Sequence, residues 1–133
     1  MSKKTIEQNI NTNFEIIGII SSQKDYKLAW FLNEKTDLKL AKSTNNFLPE
    51  NFSFYKSASD IKIFILIENK NSEGVLFSEL KKFNYILKIF DVKYFENTIK
   101  DALSETSEII ISGYLSKDKL AKKTLKIISE IEI

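Results

Sequence analysis

The chain has 133 residues, 43% of them hydrophobic and 29% charged, which fits one globular domain and leaves little room for a second. It contains no Cys, His or Arg, which excludes disulfides, thiolate and imidazole chemistry, and the two-pronged guanidinium contact with phosphate. The formal net charge of +2, from 20 lysines against 18 acidic residues, gives no strong field toward nucleic acid.

No segment has the length that a signal peptide or a membrane helix needs. The longest strongly apolar stretch, Ile61–Ile67, is interrupted by Lys62 and falls far short of the roughly 20 residues of a membrane helix. We therefore expect a cytoplasmic protein with neither a membrane nor a nucleic acid as partner. Frequent Ile, Asn and Lys without Arg indicate an AT-rich genome rather than a function.

The first third of the chain predicts a tail, a strand and a helix. Residues 1–13 are polar and lack a sustained period, so we expect a mobile tail before a single domain over residues 14–133. Phe14–Ile20 is short and rich in β-branched residues, as a buried strand is. Ser22 and Asp25 resemble a capping box, so a helix should begin there and end near Thr36.

The middle of the chain predicts strands joined by short loops. Leu38–Lys42 could form a short edge strand, and Phe52–Lys56 and Ile61–Ile67 form a predicted hairpin. Residues 68–74 are predicted to be a loop, and residues 75–82 remain ambiguous. Phe83–Phe90 has apolar residues on both parities, which is typical of an interior strand.

The last third predicts a helix, a strand and a final helix. The spacing of Phe95, Ile99 and Leu103 is helical, residues 108–114 have β composition, and a helix is expected from Ser116. Because most neighbouring strands are joined by loops too short for crossovers, we predict an α+β two-layer sandwich with a largely antiparallel sheet. It should have five to six strands, two or three helices and a ferredoxin-like or ACT-like topology, which implies no function.

Two segments carry a family resemblance. Lys24–Asn33 is similar to the entry of the first helix, and Phe77–Tyr85 to the name motif, of the bacterial IPExxxVDY family. Glu79 and Tyr85 keep the Glu and the final Tyr at matching spacing, whereas Asn84 replaces the Asp. The resemblance implies membership of an uncharacterised family with no assigned activity.

The change at position 84 separates two interpretations of the motif. A proton-transfer carboxylate could not be replaced by Asn84, because an amide does not ionise near neutral pH. A backbone hydrogen bond could be kept, because the amide oxygen accepts in much the same place. The departure therefore favours a structural motif.

Glu79 and Tyr85 could form a carboxylate–phenol pair that binds a polar ligand or moves a proton. A structural hydrogen bond is the favoured alternative. In that interpretation Glu79 accepts from backbone N–H groups or from Tyr85 and holds the loop before the Phe83 strand against the sheet.

The predicted first helix supplies the other candidate residues. Asp25, Tyr26 and Lys27 at its start could hold an anion, but helix capping is the favoured role. Tyr26 and Trp30 could form a partner-binding patch or line a pocket, although an aromatic stripe at helical spacing is more often core. The lysines of Lys117–Lys126 could approach phosphate backbones, but a solvated helix face is the favoured role.

The inventory favours binding over catalysis. Gly18, Gly74 and Gly113 are isolated and the acids are scattered, so neither a phosphate loop nor a metal or cofactor site is predicted. The leading hypothesis is a non-enzymatic module that binds a protein partner or associates with itself through a strand edge or an aromatic patch. The alternative is an ACT-like small-molecule-binding domain, suggested by polar loops near Ser22 and Asn71.

Overall fold

The computed structural model describes residues 13–43, 49, 52–58, 64–106 and 109–131. The predicted mobile tail, apart from Asn13, lies outside these residues, as do the start of the strand predicted over Ile61–Ile67 and part of the turn before it. No helix in the described ranges is long and apolar enough to cross a membrane.

The described residues form eight strands and three helical regions. The strands are β1 (Glu15–Ser21), β2 (Ala41–Lys42), β3 (Phe54–Lys56), β4 (Phe64–Glu68), β5 (Lys70–Asn71), β6 (Gly74–Val75), β7 (Tyr85–Ile89) and β8 (Ile109–Leu115). The helices are α1 (Asp25–Lys35), a helical segment made of α2 (Val92–Tyr94), a π-helical turn (Phe95–Ile99) and α3 (Lys100–Glu105), and α4 (Lys122–Glu130). Short 3₁₀ turns occupy Ser78–Leu80 and Lys117–Lys119.

Six strands form one sheet in the order β2-β3-β4-β7-β1-β8, and every neighbouring pair is antiparallel. The chain leaves β1 through α1, enters the sheet at its edge through β2 and β3, and reaches β4, so that β7 lies between β1 and β4. It then leaves β7 through the second helical region and returns at β8, with β1 between them. This is the ferredoxin-like strand order, extended at one edge by β3 and β2, and the predicted α+β fold class is confirmed.

The sheet is buried on both faces. On one face Ile17 and Leu87 pack with Leu28 of α1 and Ile99 of the π-helical turn. On the other face Ile16, Ile65 and Ile86 pack with Ile128 of α4. The central strands are therefore apolar at both parities, which is the pattern that marked them in the sequence.

One charged residue lies inside this core. Lys88 of β7 is fully buried, and its Nζ donates to the carbonyl oxygens of Ile128 at 2.9 Å and Ile131 at 2.8 Å. The same ammonium lies over the rings of Phe14 and Phe90, 4.7 and 5.1 Å from their centroids. Lys88 therefore joins the sheet to the end of α4, where helix carbonyls lack intrahelical partners.

Three local predictions need correction. The capping box is wrong, because α1 begins at Asp25 after Lys24, which makes no side-chain cap, and Ser21 rather than Ser22 binds the amide of Gln23. The loop predicted over residues 68–74 contains the β5–β6 hairpin, whose turn is stabilised by Asn71. The last helix begins at Lys122, because residues 117–119 form a separate 3₁₀ turn.

Candidate functional site

A polar cleft of about 640 Å³ lies at one end of the sheet. Ligand sites commonly have about 300–1,000 Å³. Its walls come from the β1–α1 junction, β2, the residue before β3, the end of β4, the β5–β6 hairpin and the start of β7. The lining residues are Ser21, Ser22, Gln23, Lys24, Asp25, Lys42, Ser53, Glu68, Lys70, Asn71, Ser72, Glu73, Asn84 and Tyr85.

Asn84 and Tyr85 hold the β1–α1 junction in place. Oδ1 of Asn84 accepts from the Ser21 amide at 3.0 Å, and the buried Tyr85 hydroxyl donates to the Gln23 carbonyl at 2.5 Å. Burial raises the pKa of Tyr85, so its phenol stays a donor across the ordinary pH range. Asn84 therefore acts as an acceptor for a backbone amide, one of the two structural roles considered for position 84.

Asp25 brings the first carboxylate into the cleft. It stands in the first turn of α1, where the helix dipole favours a negative charge. Its Oδ2 accepts from the hydroxyl of Tyr55 on β3 at 3.0 Å. Burial and, next, this hydrogen bond raise the pKa of Tyr55, which keeps the phenol protonated and the bond intact.

Glu68 supplies the second carboxylate at the end of β4. Its Oε1 accepts from the Ser53 amide at 3.1 Å and from Nδ2 of Asn71 at 3.2 Å. Burial raises the pKa of Glu68, and the charge of Asp25 raises it further against these hydrogen bonds. The two carboxylates are thus close enough to repel each other on the cleft wall.

Lysines line the same cleft as the two carboxylates. Lys24 and Lys42 are exposed, and Lys70 is half-buried on the hairpin. The described residues contain no group of three or more His, Cys, Asp or Glu that could hold a metal ion. The cleft can therefore offer a pair of carboxylates, hydroxyl and amide groups, and outer ammonium groups to a polar molecule.

Only some of the candidate residues predicted from the sequence line the cleft. Asp25, Asn84 and Tyr85 line the cleft, as do both polar loops noted near Ser22 and Asn71. The other four candidates, Tyr26, Lys27, Trp30 and Glu79, do not.

The aromatic residues of α1 contradict the core interpretation. The side chains of Tyr26 and Trp30 are 58% and 54% exposed, whereas Leu28 and Leu32 of the same helix are buried. Trp30 packs edge-on against Phe31 at the surface. The helix turns its leucines, not its largest aromatic side chains, toward the sheet.

Glu79 and Tyr85 do not pair. Glu79 is exposed and accepts from the backbone amide of Ala121, at 3.0 Å to Oε2, while Tyr85 binds the carbonyl of Gln23. Glu79 does accept from a backbone N–H group, as predicted. The amide that it binds stands just before α4, however, so Glu79 contacts that helix and does not clasp its own loop to the sheet.

Asn69 is the residue that holds the loop of residues 77–83 in place, and the sequence did not indicate it. This fully buried side chain donates through Nδ2 to the carbonyls of Leu80 and Phe83, at 2.9 and 3.0 Å. Its Oδ1 accepts from the Phe77 amide at 2.8 Å. Both N–H donors and the oxygen of the amide thus have partners among residues 77–83, as burial of such a group requires.

Tyr55 and Glu68 were also missed. Each lies at or near the end of a predicted strand, where a polar group after an apolar run is the available signal. That signal does not tell which strand ends lie together, because a short segment carries no information about the order of strands in the sheet.

Replacing Glu79 tests its contact with α4. We expect Glu79→Ala to lower the free energy of unfolding by about 0.5–1.5 kcal/mol. The loss stays small because the exposed amide of Ala121 can donate to water instead. Glu79→Gln should lose less, since its amide oxygen can still accept from Ala121. Urea unfolding measures both, with Glu34→Ala on the exposed side of α1 as control. Unchanged stability of Glu79→Ala would show that the contact contributes nothing.

Fold and cleft together define a ferredoxin-like α+β domain with a polar cleft at one end of its sheet. Comparison of the chain with protein-family models, curated proteins and solved structures gave no match.

Proposed function

We propose that this protein is a non-enzymatic binding module whose cleft takes a small ligand bearing a primary ammonium group. The observation that carries the proposal is the pair of carboxylates, Asp25 and Glu68, on the wall of one cleft. Within the described part of the chain, Oδ1 of Asp25 and Oε2 of Glu68 accept no hydrogen bond. Both oxygens are available to a ligand.

The chemistry of the pair favours an organic cation. An ammonium group has three donors and a full charge, so it can bridge both carboxylates and relieve their mutual repulsion. A Ca²⁺ ion takes roughly six to eight oxygen ligands, whereas the described residues contain no group of three or more His, Cys, Asp or Glu that could hold a metal ion. The ammonium groups of the outer lysines can attract an anionic group at the far end of the same ligand.

Binding is favoured over a reaction because the cleft holds no activated nucleophile. The phenol of Tyr85 lines the cleft, and the phenol of Tyr55 binds the cleft residue Asp25. Both have raised pKa values and both donate hydrogen bonds. Serine at this site has no general base of the His type, since the chain has no histidine. The groups are arranged to accept and donate hydrogen bonds.

Calorimetric titration with matched probes tests the proposal. We expect 5-aminopentanoate or ethanolamine to bind, and their hydroxyl analogues 5-hydroxypentanoate and ethylene glycol to bind at least tenfold more weakly. Glu68→Gln and Asp25→Asn should each weaken amine binding at least tenfold, about 1.4 kcal/mol. Glu34→Gln, which removes an exposed charge outside the cleft, should bind like the wild type.

Two results would overturn the proposal. If no amine raises the melting temperature or gives heat of binding, the cleft is not an ammonium site, because binding to the native state must increase stability. If amines bind equally to the wild type and to both charge-neutralising variants, they bind elsewhere.

Glu68 should also make stability depend on pH. Because burial raises its pKa above the usual 4.5, the folded state holds this proton more tightly than the unfolded state. The wild type therefore loses stability as pH rises through the range from about 4.5 to the raised value. Above that range Glu68→Gln should be the more stable protein, and below it the difference should vanish. Urea midpoints between pH 4 and 8 measure this, and a pH-independent difference would contradict it.

We also propose that the chain is a divergent, cytoplasmic member of the IPExxxVDY family. The two segments that resemble the family meet at the cleft, where Tyr85 of the second binds the backbone just before the first. Asn84 keeps the acceptor that an Asp would supply. Both contacts support a shared structural role for the motif.

A further inference from the structure

The two edges of the main sheet differ in how they are protected. Proteins usually protect edge strands by making them short or by placing lysines and prolines on them. At one edge β2 has two residues, and the second is the exposed Lys42. At the other edge β8 has seven residues, Ile109–Leu115, without a charged residue or a proline. Among the described strands, β8 pairs only with β1.

Nothing in the described part of one chain explains the glycine at position 113 of this strand. A Cβ added there would meet nothing within 4 Å, and its φ is not in the left-handed range. Its neighbour across the ladder, Gly18, differs, because a Cβ there would collide with the ring of Phe83. A glycine inside a strand weakens it and often marks a place where another backbone approaches. Ser112 beside it is small and exposed as well.

The surface beside this edge is suited to contact. Tyr114 is 46% exposed and packs edge-on against Phe95, and its hydroxyl binds Glu96. Lys100, one turn further along, forms an ion pair with Glu96 at 3.3 Å. A large aromatic side chain and charges of both signs therefore flank the unprotected strand.

We propose that β8 is the interface between two copies of this chain, joined across a two-fold axis in one continuous antiparallel sheet. An antiparallel edge is self-complementary, because its N–H and C=O groups alternate in the same way on both copies. Pairing of β8 with β2 of another copy is disfavoured, because β2 offers only two residues.

Charge agrees with a second copy as the occupant. The strand is uncharged and the chain carries a net charge of only +2, so two copies repel each other weakly. A stable interface takes about 800 Å² from each partner, so the surface beside the strand has to join the contact. Strand pairing is then completed by the flanking surface around Tyr114. Glu96 and Lys100 carry opposite charges, so the two-fold axis does not bring only like charges together.

The test uses charge at the middle of the strand. Ser112 is the central residue of Ile109–Leu115, so a two-fold axis there places it opposite its own copy. We expect the wild type to sediment at twice 15.4 kDa at high concentration and to dissociate on dilution between about 1 mM and 1 µM. Ser112→Lys and Ser112→Glu should each be monomeric, because like charges then face each other. An equimolar mixture should restore the dimer.

Several outcomes would overturn the interface. A wild type that stays at 15.4 kDa at every concentration excludes it. A dimer that survives both single variants lies elsewhere on the surface, and a mixture that stays monomeric excludes the two-fold arrangement. Ser78→Lys, with the same charge change at an exposed position outside β8, should dimerise like the wild type. Recovery in the mixture also shows that the variants are folded.

Discussion

Replacing Lys88 by Met should lower the free energy of unfolding by about 1–3 kcal/mol, although methionine keeps the apolar stem of the side chain. The ammonium of Lys88 is fully buried and donates to the carbonyls of Ile128, Ser129 and Ile131 at 2.9, 3.3 and 2.8 Å. Without it, these carbonyls at the end of α4 lose their donor in an environment that excludes water. The favourable interaction of a cation with the helix C-terminus is lost too.

Lys88→Ala should lose more, about 2–5 kcal/mol, because it also leaves a cavity between the rings of Phe14 and Phe90. Urea unfolding measures both variants, with the exposed Lys123→Met of α4 expected to stay within about 0.5 kcal/mol of the wild type. If Lys88→Met is as stable as the wild type, desolvation of the ammonium offsets its hydrogen bonds, as it does in some buried ion pairs.

Gly18→Ala should destabilise the protein by about 1–3 kcal/mol, the usual effect of an extra methyl group in a packed core. A Cβ at Gly18 would lie 2.6, 2.7 and 2.9 Å from three ring carbons of Phe83, closer than real contacts allow. The ring packs against the core, so it must move for the methyl group to fit.

Gly113→Ala is the matched control, because the two glycines face each other in the β1–β8 ladder. No atom lies within 4 Å of its added Cβ, so the variant should match the wild type or gain up to about 1 kcal/mol. Unfolding is measured at low micromolar protein, where dimerisation does not contribute. The double variant Gly18→Ala with Phe83→Leu should recover part of the loss, and equal stabilities of the two alanine variants would contradict the steric explanation.

Local patterns were sufficient for most elements. β1, β4 and β7 all coincide with runs of β-branched and apolar residues, because strands buried on both faces need apolar side chains at most positions. Element ends were less certain. The start of α1 was misplaced because a capping box is only one of several ways to satisfy free helix amides.

The candidate site was predicted only in part. Asp25 and Tyr85 came from motif resemblance and do line the cleft, but their partners Tyr55 and Gln23 did not stand out. Hydrogen bonds between residues distant in the chain depend on which strand ends share an edge of the sheet. That information is absent from any short segment.

By itself the sequence determined the fold class and most strands and helices. It also determined which chemistry is excluded, because the chain has no Cys, His or Arg. These properties depend on composition and on periodicity within one element. Only the tertiary structure decided that Lys88 is buried, that Tyr26 and Trp30 are exposed, and that Asp25 and Glu68 share a cleft. Each depends on which face of an element meets the core and which elements are neighbours. Those choices are settled by the packing of the whole chain, since the apolar faces that form the core are buried against partners from other segments.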